Sequence, residues 1–84
     1  MAIATPGPTP NPNALKFTLD RRLDEMINVA SAAEASTAFA RAVFAAPGVA
    51  SVFGTADFVT ITRQADAPWE PIVYAVVAAA GQHL

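Results

Sequence analysis

Apolar and polar residues alternate along several short stretches of the chain, which is the pattern of β-strands with one buried face. In the clearest stretch Leu15, Phe17 and Leu19 are apolar, whereas Lys16 and Thr18 between them are polar. The same alternation, with β-rich composition and turn residues at the ends, predicts three more strands. The four predicted strands cover residues 14–19, 26–30, 49–53 and 58–63.

Apolar residues at the spacing of an α-helix follow the second and the fourth of these strands. Apolar residues from Phe39 to Phe44 form one stripe, which predicts a helix that starts between 32 and 38 and ends before Pro47-Gly48. The last segment predicts a longer helix with Asp66 or Ala67 as its cap and Pro68 near its first turn. Its buried stripe is predicted to be Trp69, Ile72, Val73, Val76, Val77, Ala80 and Leu84.

The order β-β-α-β-β-α predicts an α+β fold, because short connections favour antiparallel pairing of neighbouring strands. We expect a two-layer sandwich in which a four-stranded, largely antiparallel sheet carries both helices on one face. Residues 13–84 are expected to form this single domain. In residues 1–12 every second position from Pro6 to Pro12 is proline, which predicts an extended arm without helix.

Composition and charge narrow the range of functions. Charged residues are only 14% of the 84 residues, so the surface is covered largely by small neutral side chains and a protein partner is plausible. The formal charge of −2 makes nucleic acid and membrane surfaces unfavourable partners. With no cysteine, the chain has no disulfide, no thiolate metal site and no cysteine nucleophile. No segment resembles a signal peptide or a membrane span, so we expect a cytoplasmic protein.

Catalytic chemistry has little support in the sequence. The single histidine, His83, lies next to the C-terminal residue and has no neighbouring Ser or Asp to form a relay. The carboxylates fall mainly in predicted loops and caps, and the four glycines are scattered rather than gathered into a phosphate-binding loop. We therefore expect a protein that is not an enzyme and has no catalytic or metal-binding residue.

The polar face of the predicted sheet is the first candidate for an interaction surface. The residues assigned to it, together with two from the turn that precedes the first strand, are Asn11, Asn13, Lys16, Thr18, Phe58, Thr60 and Thr62. Phe58 is unusual there: it either packs under the N-terminal arm or marks a contact surface.

Two further surfaces remain open alternatives. Basic residues could hold a small anion or a phosphopeptide, with Lys16, Arg21, Arg22 and Arg63 as the candidate contacts. The outer side of the last helix carries no charge between Pro71 and Gln82, so it is either a surface for homo-oligomer formation or a result of the alanine-rich composition.

One segment carries a family resemblance. Residues Thr9-Pro10-Asn11-Pro12-Asn13-Ala14-Leu15-Lys16-Phe17 resemble the opening of the N-terminal domain of Nfu/NifU-type iron–sulfur scaffold proteins. The resemblance continues through Phe39 to Phe44, Gly48 to Phe53, Asp57 to Thr62 and Trp69, so it covers about residues 9–84. The Ser-Pro of the family at the first helix is Thr37-Ala38 here, which retains a capping residue.

The resemblance implies a role in iron–sulfur cluster assembly. Scaffold proteins of this kind bind the cluster through a Cys-x-x-Cys motif in a separate C-terminal domain, which this chain lacks. The expected function is therefore a non-enzymatic accessory that docks on a protein of iron–sulfur biogenesis or on a recipient protein. No cofactor is expected on this chain, and an iron–sulfur cluster would be reached only through the partner.

Overall fold

Five strands and two α-helices form the structure, a computed structural model that describes residues 2–84. A short 3-10 helix, Ala32–Glu34, precedes the first α-helix. The elements are β1 (Ala4–Pro8), β2 (Ala14–Leu19), β3 (Ile27–Val29), α1 (Ala38–Phe44), β4 (Val49–Thr55), β5 (Phe58–Arg63) and α2 (Trp69–His83).

The strands form one antiparallel sheet in the order β1-β2-β5-β4-β3, with β5 at its centre. Both helices pack on the same face of this sheet, so the predicted two-layer α+β architecture is confirmed. The predicted strand number was wrong, because the sheet has five strands rather than four. The additional strand, β1, comes from the proline-rich segment, the first residue of which lies outside the described residues.

The proline spacing explains how this segment can join a sheet. The N–H of Asp20 donates to Ile3 on the β1 side, whereas the N–H of Leu19 donates to Asp57 on the opposite side. Alternate residues of β2 therefore bond to β1, and these are the ones opposite Thr5 and Gly7. Both prolines of the strand, Pro6 and Pro8, consequently turn their N atoms outward, where a missing N–H leaves no ladder bond unmade. This edge is poorly suited to pair with another strand.

The hydrophobic core lies between the sheet and the helix layer. From β2 it takes Phe17, from β5 Val59 and Ile61, and from the helices Val43, Ile72 and Val76, all of which have essentially no exposed surface. The start of α1 is fixed by Thr37, whose hydroxyl accepts a hydrogen bond from the N–H of Ala40 at 3.1 Å. The sequence predicts that this helix starts between 32 and 38. It starts at 38, because residues 32–34 form a 3-10 helix of their own.

The longer helix departs from the prediction in two details. Val77 is 41% exposed, and Ala79 is buried instead. At about 100° per residue, Val77 lies 100° or more around the helix from each of the buried residues Ile72, Val76 and Ala79, and so faces away from the core. The cap is Pro68 without any side-chain bond, rather than Asp66 or Ala67. Within the described chain, neither helix has the length and apolar character needed to cross a lipid bilayer.

Gly48 joins α1 to β4 at a point that no other residue type fits. Its φ of +90° lies in the left-handed region, and a Cβ built on it would stand 2.5 Å from the Cβ of Ala67. The close approach brings the start of β4 against the loop that precedes α2. A side chain at this position would therefore force the loop and the start of β4 apart.

Candidate functional site

The face of the sheet opposite the helices brings together five of the residues assigned to it from the sequence. Lys16 of β2 lies across from Thr60 of β5, and Thr18 lies across from Phe58. Thr62 pairs with Ser51 of the neighbouring strand β4. We call this surface the open face: Thr5, Lys16, Thr18, Ser51, Phe53, Thr55, Phe58, Thr60 and Thr62.

An aromatic pair lies at the centre of the open face. The rings of Phe53 and Phe58 have centroids 6.5 Å apart and are tilted by 47°. The Lys16 ammonium lies over the Phe58 ring, with Nζ 4.5 Å from the centroid. Phe58 is half-buried by these contacts, and Phe53 is 37% exposed. The lysine stem and the rings thus form one apolar patch.

Sequence reasoning did not assign Phe53 to this surface. The alternation that could have found it is present, since Ser51 and Thr55 flank it at the two-residue spacing of one strand face. A register irregularity between Val49 and Ser51 interrupts that alternation at the start of β4. The buried residues Val49 and Val52 are therefore three positions apart, and strict alternation counted from Val49 places Phe53 on the covered face.

The composition of the open face suits protein recognition. Its centre is aromatic and its surroundings are threonine and serine hydroxyls, which donate and accept hydrogen bonds. Lys16 is its single ionisable residue. Interfaces between proteins have this arrangement, with aromatic residues in the middle, few charges in the centre and polar groups at the rim.

Asn11 and Asn13 build the turn that connects β1 to β2. The side-chain oxygen of Asn11 accepts from the N–H of Asn13 at 2.9 Å, and its carbonyl accepts from the N–H of Ala14 at 3.0 Å. The Thr9 hydroxyl donates across the turn to the carbonyls of Asn11 and Ala14. These bonds account for the Asn-Pro-Asn spacing through local geometry.

Arg63 anchors the same turn to the sheet. Its Nε donates to the side-chain oxygen of Asn13 at 3.3 Å, and its Nη1 donates to the carbonyl of Ala67 at 2.8 Å. The guanidinium also lies 5.2 Å from the centre of the Trp69 ring. This arginine therefore links the β1–β2 turn to the start of α2.

The four basic candidates for an anion site do not form one cluster. Arg21 follows β2 and donates to the carbonyl of Leu84, with Asp24 at 3.9 Å as a second partner. Arg63 lies beside the other end of β2, about 20 Å of extended strand away. Lys16 lies between them over an aromatic ring, and Arg22 is exposed in the loop.

A groove of about 430 Å³ opens between the β2–β3 loop, the start of α1 and the end of α2. Exposed His83 lies at its edge with Asp24 and Glu25 of the loop, and Phe39 contributes an apolar wall. Residues 2–84 contain no group of three histidines or carboxylates placed to hold a metal ion. The groove thus combines polar and apolar walls.

The fold and this surface define a small two-layer α+β domain with one helix-covered sheet face and one open, threonine-rich face. The chain belongs to the family described as scaffold protein Nfu/NifU, N-terminal, which it matches over residues 4–84. The resemblance seen in the sequence is thereby confirmed, and the match also includes β1.

One relative and two solved structures are similar to this chain. NifU-like protein 5, mitochondrial, of Arabidopsis thaliana is 37% identical over 75 residues, covering 82% of this chain. The chain spans only 27% of the length of that relative. The crystal structure of SAV1430 from Staphylococcus aureus matches with a TM-score of 0.79 at 28% identity, covering 94% of this chain and 98% of that one. The solution structure of SeR13 from Staphylococcus epidermidis matches with a TM-score of 0.66 at 27% identity, covering 98% of each chain.

Proposed function

We propose that this chain is a non-enzymatic docking module of iron–sulfur cluster assembly. It binds a cluster-carrying scaffold or a recipient protein through the open face and supplies no cluster ligand itself. Membership of the Nfu/NifU N-terminal family supports the iron–sulfur context. The absence of cysteine supports the second part, because cluster ligation in such scaffolds uses thiolates. A cytoplasmic location stays a prediction.

The observation that carries the proposal is the aromatic centre of the open face. Phe53 and Phe58 lie side by side on neighbouring strands, away from the helices that bury the other face. Partly exposed aromatic residues surrounded by hydroxyl groups are the kind of patch in which binding energy concentrates. Lys16, held over Phe58, adds a positive charge that favours a partner with a carboxylate at the matching position.

Quantitative affinity capture from source-cell extract tests the proposal. The double variant Lys16→Glu with Thr60→Glu places two carboxylates on the open face. Its matched control, Arg22→Glu with Ala33→Glu, changes the net charge equally at exposed positions outside that face. We expect iron–sulfur proteins to be enriched by the wild-type chain and the control and lost with the open-face variant. Equal enrichment by all three proteins, or enrichment of no iron–sulfur protein, contradicts the proposal.

An iron-binding assay independently tests the proposal that this chain supplies no cluster ligand. Purified chain is incubated anaerobically with ferrous iron and sulfide, then desalted and examined for protein-bound iron and for absorbance of a cluster. We expect neither. Stoichiometric bound iron that withstands desalting contradicts a docking role without cluster ligation.

A further inference from the structure

The two edges of the sheet differ in how they are protected against pairing with a further strand. At the β1 edge, Pro6 and Pro8 turn outward and offer no N–H. Natural sheets commonly block an edge with proline or lysine. The strand at the other edge, β3, is Ile27-Asn28-Val29 and contains neither residue type. The β3 edge therefore lacks the protection that proline gives the β1 edge.

Asn28 turns its backbone groups away from the sheet. Because the N–H of Arg63 donates to Asn13 of β2, the even-numbered residues of β5 bond to β4. The same alternation, carried across β4, bonds Ile27 and Val29 to that strand and directs the N–H and C=O of Asn28 outward. Within residues 2–84 neither of these two groups has a hydrogen-bond partner. Asn28 is exposed, so the loops on either side of β3 leave this edge accessible.

The groove of about 430 Å³ borders the same strand on the covered side of the sheet. Ile27 of β3 lines it together with Leu23 and Phe39. Residues paired across neighbouring strands direct their side chains to the same face. A residue that paired beside Ile27 would therefore direct its side chain to this groove. Free main-chain groups and a pocket for an alternate side chain are the two features by which a sheet edge binds an extended peptide.

We propose that an extended segment of a partner protein binds beside β3 as a sixth strand of the sheet. Its main chain bonds to the outward N–H and C=O of Asn28, and its side chain beside Ile27 occupies the groove. The next residue of the segment lies beside Asn28 on the open face, where Asn28 is across from Phe53. The segment therefore carries apolar residues for the covered side at every second position.

A linear segment suits this edge better than a second copy of the chain. Because prolines close the β1 edge, a second copy could add only its own β3, which has three residues. Specific interfaces between folded proteins bury about 1,200–2,000 Å² in total, which two strands of this length do not provide. A linear segment needs only main-chain hydrogen bonds and a side-chain pocket. Binding at this edge does not depend on the proposed iron–sulfur role.

Selection of a phage library of random linear peptides, about twelve residues long, on the immobilised chain tests the proposal. The selected peptides are synthesised and titrated into the nitrogen-15-labelled chain. We expect apolar residues at alternate positions and amide shifts centred on Asn28. Methylating one alternate set of peptide nitrogens should weaken binding by about tenfold or more, because those N–H groups bond to β3. Methylating the other set should have little effect.

Two substitutions at one position separate the backbone from the side chain. Asn28→Pro removes the outward N–H without removing a bond within the sheet, and it should weaken binding by about tenfold or more. Asn28→Ala is the matched control, because it keeps the N–H, and it should bind as the wild type does. Thermal unfolding checks that Asn28→Pro is folded. The methylated peptides test the same hydrogen bonds on the wild-type chain.

Three results would overturn the proposal. The first is a selection that yields no binding peptide. The second is binding that both Asn28→Pro and either pattern of peptide methylation leave intact. The third is an amide shift of Asn28 that depends on the concentration of the chain alone, which would assign this edge to a second copy.

Discussion

The two faces of the sheet are built from alternate residues of the same strands but have opposite properties. In β2, Phe17 has no exposed surface, while its neighbours Lys16 and Thr18 are exposed. In β5, Val59 and Ile61 are buried under the helices, while Thr60 between them belongs to the open face. Side chains on the covered face contribute to stability, and those on the open face to the proposed recognition. Because the two sets alternate along each strand, substitutions one position apart should affect different properties.

Truncation of the Phe17 side chain should cause the largest loss of stability. Phe17→Ala removes a fully buried ring and is expected to lower the free energy of unfolding by about 3–5 kcal/mol. Thr18→Ala, the neighbouring control on the open face, should change it by no more than about 0.5 kcal/mol. Urea unfolding of both variants measures the difference. Similar losses for the two would show that the faces do not differ in this way.

Replacing one glycine on each side of the sheet with alanine adds a single methyl group there and tests how tightly each side is packed. At Gly54, on the covered face, a Cβ would lie 3.0 Å from Leu23 Cδ1 and 3.3 Å from Val59 Cγ2. Gly54→Ala should therefore lower the free energy of unfolding by about 1–3 kcal/mol through overpacking. At Gly7, beside the open face, the nearest atom is 3.8 Å away, so Gly7→Ala should be close to neutral. Thermal unfolding that ranks Gly7→Ala as the more damaging change would contradict this comparison.

The helix layer depends on the cap of α1. Thr37→Ala removes the hydroxyl that accepts from the N–H of Ala40, with an expected loss of about 1 kcal/mol. Ser36→Ala at the preceding exposed position, for which no cap bond exists, is the control and should have little effect on stability. Chemical unfolding measures both, and an equal loss at Ser36 would argue against the cap.

Removal of the Phe53 ring should have the smallest effect on stability. Phe53→Ala loses one tilted aromatic contact on a partly exposed surface, and we expect the free energy of unfolding to fall by about 1 kcal/mol or less. Capture of the partner should nevertheless fall sharply, because the ring lies at the centre of the proposed contact. Parallel unfolding and capture assays separate the two effects. Unchanged capture would exclude Phe53 from the contact.

Much of this architecture could be predicted from the sequence because its signals are periodic. The alternation in β2 and β5 and the helical spacing in α2 depend on which side of an element faces apolar neighbours. The polar residues of the open face follow from the same alternation: Lys16, Thr18, Thr60 and Thr62 lie where the strand phases put them.

The fifth strand could not be predicted in this way. Proline lowers the likelihood that a segment forms a strand, and only the pairing to β2 reveals that Pro6 and Pro8 turn their N atoms away from the partner. The contact of Phe53 with Phe58 depends on the register of β4 against β5, which a local irregularity shifts. Register is a property of two strands, and alternation within one strand does not determine it.

The candidate site was predicted in outline, and its long-range contacts were not. Arg21 and Arg63 were grouped by charge, but one binds the carbonyl at the end of α2 and the other the β1–β2 turn. These contacts join residues far apart in the sequence. Charge composition alone therefore could not separate structural arginines from a cation available to a ligand.

An NMR titration of the nitrogen-15-labelled chain with the partner recovered by affinity capture tests directly whether the open face binds that partner. We expect the amide shifts to concentrate on the open face, at Lys16, Thr18, Phe53, Phe58 and Thr60, and we expect Lys16→Glu with Thr60→Glu to abolish them. Shifts confined to the helix layer or to the groove around His83, with the open face unchanged, would contradict the claim that this face binds the partner.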